Sequence, residues 1–169
     1  MSPDRIIAFW GADNLKRWSP ATLQDVAIPQ SSKQFLVGVG LPFKEDWTLR
    51  FDSEADQLPR LPGKPHYRRI GFDDFVPICL DERRHGAVIT AEVENSPPES
   101  FVNASVEQFG EFLLLYQQYR LKARTASEEE ILLFIPTIEE RMRKADADAF
   151  SDPNNYWPEI IEQMSAGLL

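Results

Sequence analysis

An α+β fold is predicted from three features of the sequence. The first and last thirds carry helix signals, the middle carries strand signals, and strands do not alternate with helices as they would in a parallel α/β sheet. A hairpin pattern sits near the centre of the strand region, which favours antiparallel pairing.

The N-terminal third reads as short helices. Pro3 suits a first helical turn after Ser2, and Gly11 closes that segment. Ser19-Pro20 repeats the cap-then-proline signal and predicts a second short helix. Ser31 to Val39 places Phe35, Leu36 and Val39 at helical spacing. Gly38-Val39-Gly40-Leu41-Pro42 then stops the helix and turns the chain.

The middle reads as strands. Trp47, Leu49 and Phe51 alternate with Thr48, Arg50 and Asp52, the period of a half-buried strand. Tyr67–Phe72 is a weaker candidate, and Phe75–Leu80 and Ala87–Val93 are stronger ones, rich in Val, Ile and Phe. Between the last two lies the polar loop Asp81-Glu82-Arg83-Arg84-His85-Gly86, in which Gly86 can adopt the positive φ that closes a hairpin. Pro77 lies inside the first of these strands and predicts an edge position or a bulge.

The last third reads as helices. Ser105 followed by Gln108 fits a capping box, with Asn103 a competing cap two residues earlier. Val106, Phe109, Leu113, Tyr116 and Tyr119/Arg120 continue as a helical stripe to about Arg124. Ser127 with Glu130 forms a second box, and Glu128, Glu129 and Glu130 favour the positive end of the helix dipole. Pro136 falls within the apolar pattern Ile131, Ile135, Ile138, Met142 and predicts a kink or restart near Ile135. Asp152-Pro153 signals a final helix with Trp157, Ile160, Ile161 and Met164 on its apolar face, its regular part delayed by Pro158.

The 169 residues suit one domain, 1–169, long enough to bury roughly 70% of the surface of the unfolded chain. An apolar fraction of 43% excludes a disordered chain. No secretory signal and no apolar run of about 18 residues is present, so a cytoplasmic protein with no membrane partner is expected. The sequon Asn103-Ala104-Ser105 is then without consequence. The net charge is −9, and it is unevenly placed: Ala126–Leu169 holds ten acids against three bases, the preceding part seventeen against fifteen. Such a field disfavours direct binding of nucleic acid and favours basic partners, although acidity also serves solubility alone.

Catalytic and cofactor signatures are missing. There is no nucleophile elbow and no phosphate loop, and Gly38-Val39-Gly40 lacks a third glycine and follows a helix. Cys79, the single cysteine, lies between Ile78 and Leu80 and reads as a small buried hydrophobe; neither a disulfide nor a cysteine zinc site is available. His66 and His85 share no ligand spacing. Asp73-Asp74 and Asp81-Glu82 bracket one strand. They read as turn residues, as a metal-dependent hydrolytic pair, or as carboxylates that meet Lys or Arg on a protein partner. With Glu128, Glu129 and Glu130 they form the candidate acidic partner-binding set. No catalytic residue, metal or cofactor is expected.

Several short motifs in order resemble the SUKH superfamily of bacterial immunity proteins, most closely its fourth subfamily. They are Val39-Gly40-Leu41-Pro42, Trp47-Thr48-Leu49-Arg50-Phe51, Ile78-Cys79-Leu80-Asp81 with Gly86-Ala87-Val88, Phe101 to Phe109, and Ala147-Asp148-Ala149-Phe150 with Tyr156-Trp157-Pro158-Glu159-Ile160-Ile161. Gly40, Pro42, Gly86, Asn103, Ser105, Phe109 and Trp157 are fold markers within them. The resemblance implies a central antiparallel sheet flanked by N-terminal and C-terminal helices and no enzymatic activity. It implies an immunity protein that neutralises a cognate toxin, commonly a nuclease or deaminase; the acidity of the chain adds the expectation of a basic surface on that toxin, and a monomer or weak homodimer is expected. A regulatory or scaffold module of the same fold is the alternative.

Overall fold

The computed structural model describes residues 3–43, 49–51, 56–94 and 96–169. Helix α1 spans Pro3–Trp10 and ends at Gly11. Strand β1, Leu15–Lys16, follows, then α2, Gln30–Gly38, then β2, Leu41–Pro42, which pairs with β1. Gly40, between α2 and β2, has φ 84°, and a Cβ there would collide with the Lys16 carbonyl. Only glycine lets the chain turn this close to β1. The second short helix expected at Ser19-Pro20 does not form. Ser19 Oγ accepts the Thr22 amide at 3.2 Å, as a cap would, but Pro20–Asp25 continues as turns whose bonds reach back three residues. Buried Leu23 and Val26 anchor them.

The six-stranded antiparallel sheet comprises β3 (Leu49–Arg50), β4 (Arg60–Leu61), β5 (Lys64–Asp73), β6 (Val76–Asp81), β7 (Ala87–Thr90) and β8 (Ser100–Asn103), ordered β3-β5-β6-β7-β8 with β4 also on β5. Trp47, Thr48 and Asp52 of the first predicted strand lie outside the described residues. The weakest strand candidate became the longest strand. Arg68 and Arg69 hide its alternation, but Arg68 Nε donates to Glu82 Oε1 at 2.9 Å and Arg69 covers the Phe72 ring at 4.5 Å.

Pro77 is not on an edge strand, because β6 lies between β5 and β7. It sits beyond Ile78↔Thr90, the last β6–β7 pair, and its carbonyl accepts the Ala91 amide at 2.8 Å. In a strand, N–H and C=O of one residue point the same way, so the missing donor falls where the ladder has already ended. The bulge lies instead in β5, between Arg69 and Gly71. Phe75, predicted as a strand residue, is at the tip of the β5–β6 turn and 58% exposed. Strand β7 stops at Thr90, short of Val93. The β6–β7 loop closes as expected, with His85 at φ 53° and Gly86 at φ 80°.

Helix α3, Val106–Ala123, lies at the centre of the molecule. Its Phe109, Phe112 and Leu113 join Ile70, Ile78, Leu80, Val88 and Val102 of the sheet in the main core. Helices α1 and α2 contact it from the N-terminal side, and α4, Glu128–Ala145, packs along it. A small second cluster, Leu61, Tyr67, Cys79, Ile89 and Ala91, closes the other face of the sheet. Helix α4 passes through Pro136 without a break in its assignment. The Leu132 carbonyl loses its amide partner, but Leu132 and Pro136 both lie on the exposed side of the helix, where the penalty is smaller than in the core. Helix α5, Tyr156–Ser165, starts after Asn155 and not at Pro153. Pro158 lies in its first turn, where no amide is needed.

Asn103 does not cap α3. Ser105 alone does, accepting the Gln108 amide at 3.3 Å; the Gln108 side chain reaches back to accept the Ser105 hydroxyl on Oε1 at 2.9 Å and donates Nε2 to the Ala145 carbonyl at 3.0 Å. Fully buried Asn103 instead donates Nδ2 to Asp146 Oδ2 (3.0 Å) and accepts the Trp157 indole N–H on Oδ1 (2.9 Å). The amide of Ala104 also donates to Asp146 Oδ2, at 2.9 Å. One amide therefore ties the end of β8 to the ends of α4 and α5. Replacing Asn103 with Ala orphans the buried indole and removes a donor from a buried carboxylate. A loss of roughly 3 kcal/mol in unfolding free energy is expected, read as a lower urea midpoint.

Candidate partner-docking site

The seven candidate carboxylates fall in three places, and the structure uses them differently. Asp81 closes β6 and is 3% exposed. It accepts the Arg83 amide at 2.9 Å and Arg84 Nε at 2.6 Å, while Arg84 Nη2 reaches Glu99 at 2.9 Å. Glu82 accepts the Ala27 amide at 3.1 Å and both Arg60 and Arg68 at 2.9 Å. These two acids thus hold the β6–β7 loop onto β4, β5 and the turn before α2. Burial raises both pKa values. For Asp81, the Arg84 hydrogen bond and the Arg83 amide outweigh it; for Glu82, the Ala27 amide and the Arg68 hydrogen bond do so. Both carboxyls end below their ordinary values of 3.8 and 4.5.

Asp73 and Asp74 lie at the other end of β6. Asp74 is exposed in the left-handed region at φ 54°, and its carbonyl accepts Arg50 Nη2 at 2.7 Å. Asp73 accepts the Tyr156 hydroxyl at 2.9 Å. Burial, then the Asp73 charge, push that hydroxyl well above its ordinary value. Asp73 and Tyr156 sit on the wall of a cleft of about 710 Å³ lined by Val76, Pro97, Tyr116, Trp157 and Ile160 among others. The two carboxylate pairs are separated by the length of β6, six residues or roughly 17 Å. They do not form one centre, so a shared metal-dependent hydrolytic site is ruled out for them.

Glu128, Glu129 and Glu130 open α4 and are all exposed. Glu130 completes the capping box: its Oε2 accepts the Ser127 amide at 2.9 Å, and its own amide donates to Ser127 Oγ at 3.3 Å. The Ser127 amide, and then the Ser127 hydroxyl, donating to this carboxylate lower the Glu130 pKa. Glu128 and Glu129 have no such duty among the described residues. No hydrogen bond or ion pair among the described residues joins this group to Asp73 and Asp74.

The remaining reactive side chains are quiet. Burial pushes the Cys79 thiol up to about 12. His66 stacks edge-on against Tyr67 at 4.1 Å, and His85 is exposed in its loop. Among the described residues no group of three or more His, Cys, Asp or Glu is placed to hold a metal ion, and no helix is long and apolar enough to cross a membrane. Two surface residues were not singled out from the sequence: Leu132 and Leu133 of α4, 47% and 73% exposed. A signal existed. Ile131–Ile135 is five apolar residues in a row, more than one helical stripe can bury.

A model of the SUKH-4 immunity protein family matches residues 2–163. The chain belongs to the SUKH-4 immunity protein family. No curated protein and no solved structure matches it. The motif order, Gly40-Leu41-Pro42 through Trp157, lies inside the matched span. In this SUKH-4 family member, Asn103 and Trp157 are hydrogen-bonded to each other in the core, Gly40 and Gly86 hold positive φ, and Ser105 caps α3.

The depressed carboxyl pKa values of Asp81 and Glu82 give acid sensitivity a defined sign. Their stabilisation is complete above the unfolded carboxyl range near 3.8–4.5 and is lost as pH falls through the lower folded values. In an acid titration followed by circular dichroism, the double variant Asp81→Asn/Glu82→Gln is therefore expected to be less stable than wild type at pH 7, with the difference shrinking below about pH 4.

Proposed function

We propose that this SUKH-4 family member binds one cognate bacterial toxin, a nuclease or deaminase with a basic surface, and blocks it by direct contact in the cytoplasm. It acts as a single domain, 1–169, without a cofactor and without chemistry of its own. The observation that carries the reading is the family match across residues 2–163. The charge distribution supports it. Residues from Ala126 onward hold ten acids and three bases, and Glu128 and Glu129 are exposed at the start of α4. A toxin that acts on nucleic acid needs positive charge near its active site, and an acidic partner is steered to that surface.

Within the candidate set, Asp81 and Glu82 serve the loop and Asp74 sits at the β5–β6 turn, not on α4, so contact is assigned to Glu128 and Glu129, with Glu130 contributing field from its cap. Asp73 is held by Tyr156 and supports the turn that carries Asp74.

The test is co-expression with the toxin domain encoded beside the gene. Rescue of growth and a complex on a sizing column are expected; neither would appear if the reading is wrong. The double reversal Glu128→Lys/Glu129→Lys, which leaves the cap intact, is expected to slow association about 10-fold at low salt and to flatten its salt dependence. Stopped-flow rates at two ionic strengths read this directly, and unchanged rates would remove the steering role.

A further inference from the structure

The inner face of α4 is accounted for: Ile135, Ile138 and Met142 are buried against the core. Its outer face is not. Leu132, Leu133, Pro136 and Thr137 are exposed on adjacent turns, with Glu129 before them and Glu140 after them. Leu133 is 73% exposed on a regular helix, where a polar residue would serve solubility better. Pro136 adds a second peculiarity. It has no amide to donate to the Leu132 carbonyl, so a backbone acceptor within the apolar patch is left without its helical donor.

We propose that this outer face of α4 is the seat of the toxin, with Leu132 and Leu133 entering an apolar depression on a basic surface. The Leu132 carbonyl accepts from a Lys or Arg at its margin. The proposal rests on the toxin-binding reading above and names the surface that performs it. An apolar centre rimmed by polar groups is the usual anatomy of a specific interface.

The charges select the occupant. Arg143 and Lys144 are already matched within the helix, by Glu139 at 2.6 Å and Glu140 at 2.7 Å. Glu128 and Glu129 remain outward, so the face presents net negative charge to whatever approaches. A second copy of this chain is a poor complement. Antiparallel pairing centred between Leu133 and Pro136 would set Glu129 opposite Glu140, which is already held by Lys144 and offers it no free cation, and parallel pairing would set Glu128 and Glu129 beside their own copies. A basic partner satisfies both the leucines and the acids.

The experiment uses the full chain and the catalytically inactivated toxin domain encoded beside the gene, with association and dissociation rates measured separately. For Leu132→Gln/Leu133→Gln the dissociation rate is expected to rise about 10- to 100-fold with little change in association, because burial of apolar area acts mainly on lifetime. Glutamine keeps helix propensity and both side chains already face solvent, so the melting temperature is expected to hold and to report that the variant is folded. Phe75→Ala, an exposed apolar residue on the β5–β6 turn and not on α4, serves as the control and is expected to bind as wild type. The proposal is overturned if the leucine variant binds normally, if Phe75→Ala alone weakens binding, or if sizing shows that wild type dimerises through these leucines. Failure of wild type to bind the toxin at all would instead defeat the toxin-binding reading, and this inference with it.

Discussion

Asn103 uses both ends of its side-chain amide inside the protein, and three elements depend on it. Its Nδ2 donates to the carboxylate that terminates α4, and its Oδ1 accepts from the indole that begins α5. A carboxylate at a helix C-terminus meets the negative end of the dipole, so Asp146 is tolerable there only because donors surround it. Asn103 and the Ala104 amide supply them. Bonds of this kind are directional, whereas apolar packing is not. They fix where the last two helices stand relative to the sheet, which packing alone would leave less defined.

That placement orders the rest of the molecule. With the end of α4 fastened at Asp146 and the helix lying along α3, its opposite end carries Glu128 and Glu129 into solvent and its outer turns carry Leu132 and Leu133. The same hub seats Trp157 against Phe112 and Tyr116, and brings Tyr156 to Asp73 on the wall of the cleft. Acids are sorted by this architecture. Those at the β6–β7 loop are consumed by arginines of the same chain, while those at the start of α4 are left to the outside.

Local chemistry was legible in the sequence wherever one residue acts on its near neighbours. The caps at Ser105 and Ser127, the positive φ at Gly86 and the apolar stripes of α3 and α4 are of this kind. Long-range partners were not legible. Asn103 looked like a cap because its true partners lie 43 and 54 residues away. Glu82 looked available because Arg60, Arg68 and Ala27 meet it only in the folded chain, whereas the partners of Asp81, the Arg83 amide and Arg84, lie two and three residues away. Pro77 looked like an edge residue because the point at which β7 ends is not written in β6. Leu132 and Leu133 fall outside the stripe Ile131, Ile135, Ile138, Met142, and only the packing of α4 shows that they lie on its exposed side.

The central claim is that α4 presents one negatively charged, leucine-centred face to a basic toxin. Hydrogen exchange of the full chain, with and without the toxin domain encoded beside the gene, tests it most directly. Slowed exchange concentrated in the amides of α4 from Glu128 to Glu140 is predicted. Slowing confined to the β5–β6 turn and the cleft around Tyr156, with α4 unchanged, would contradict it.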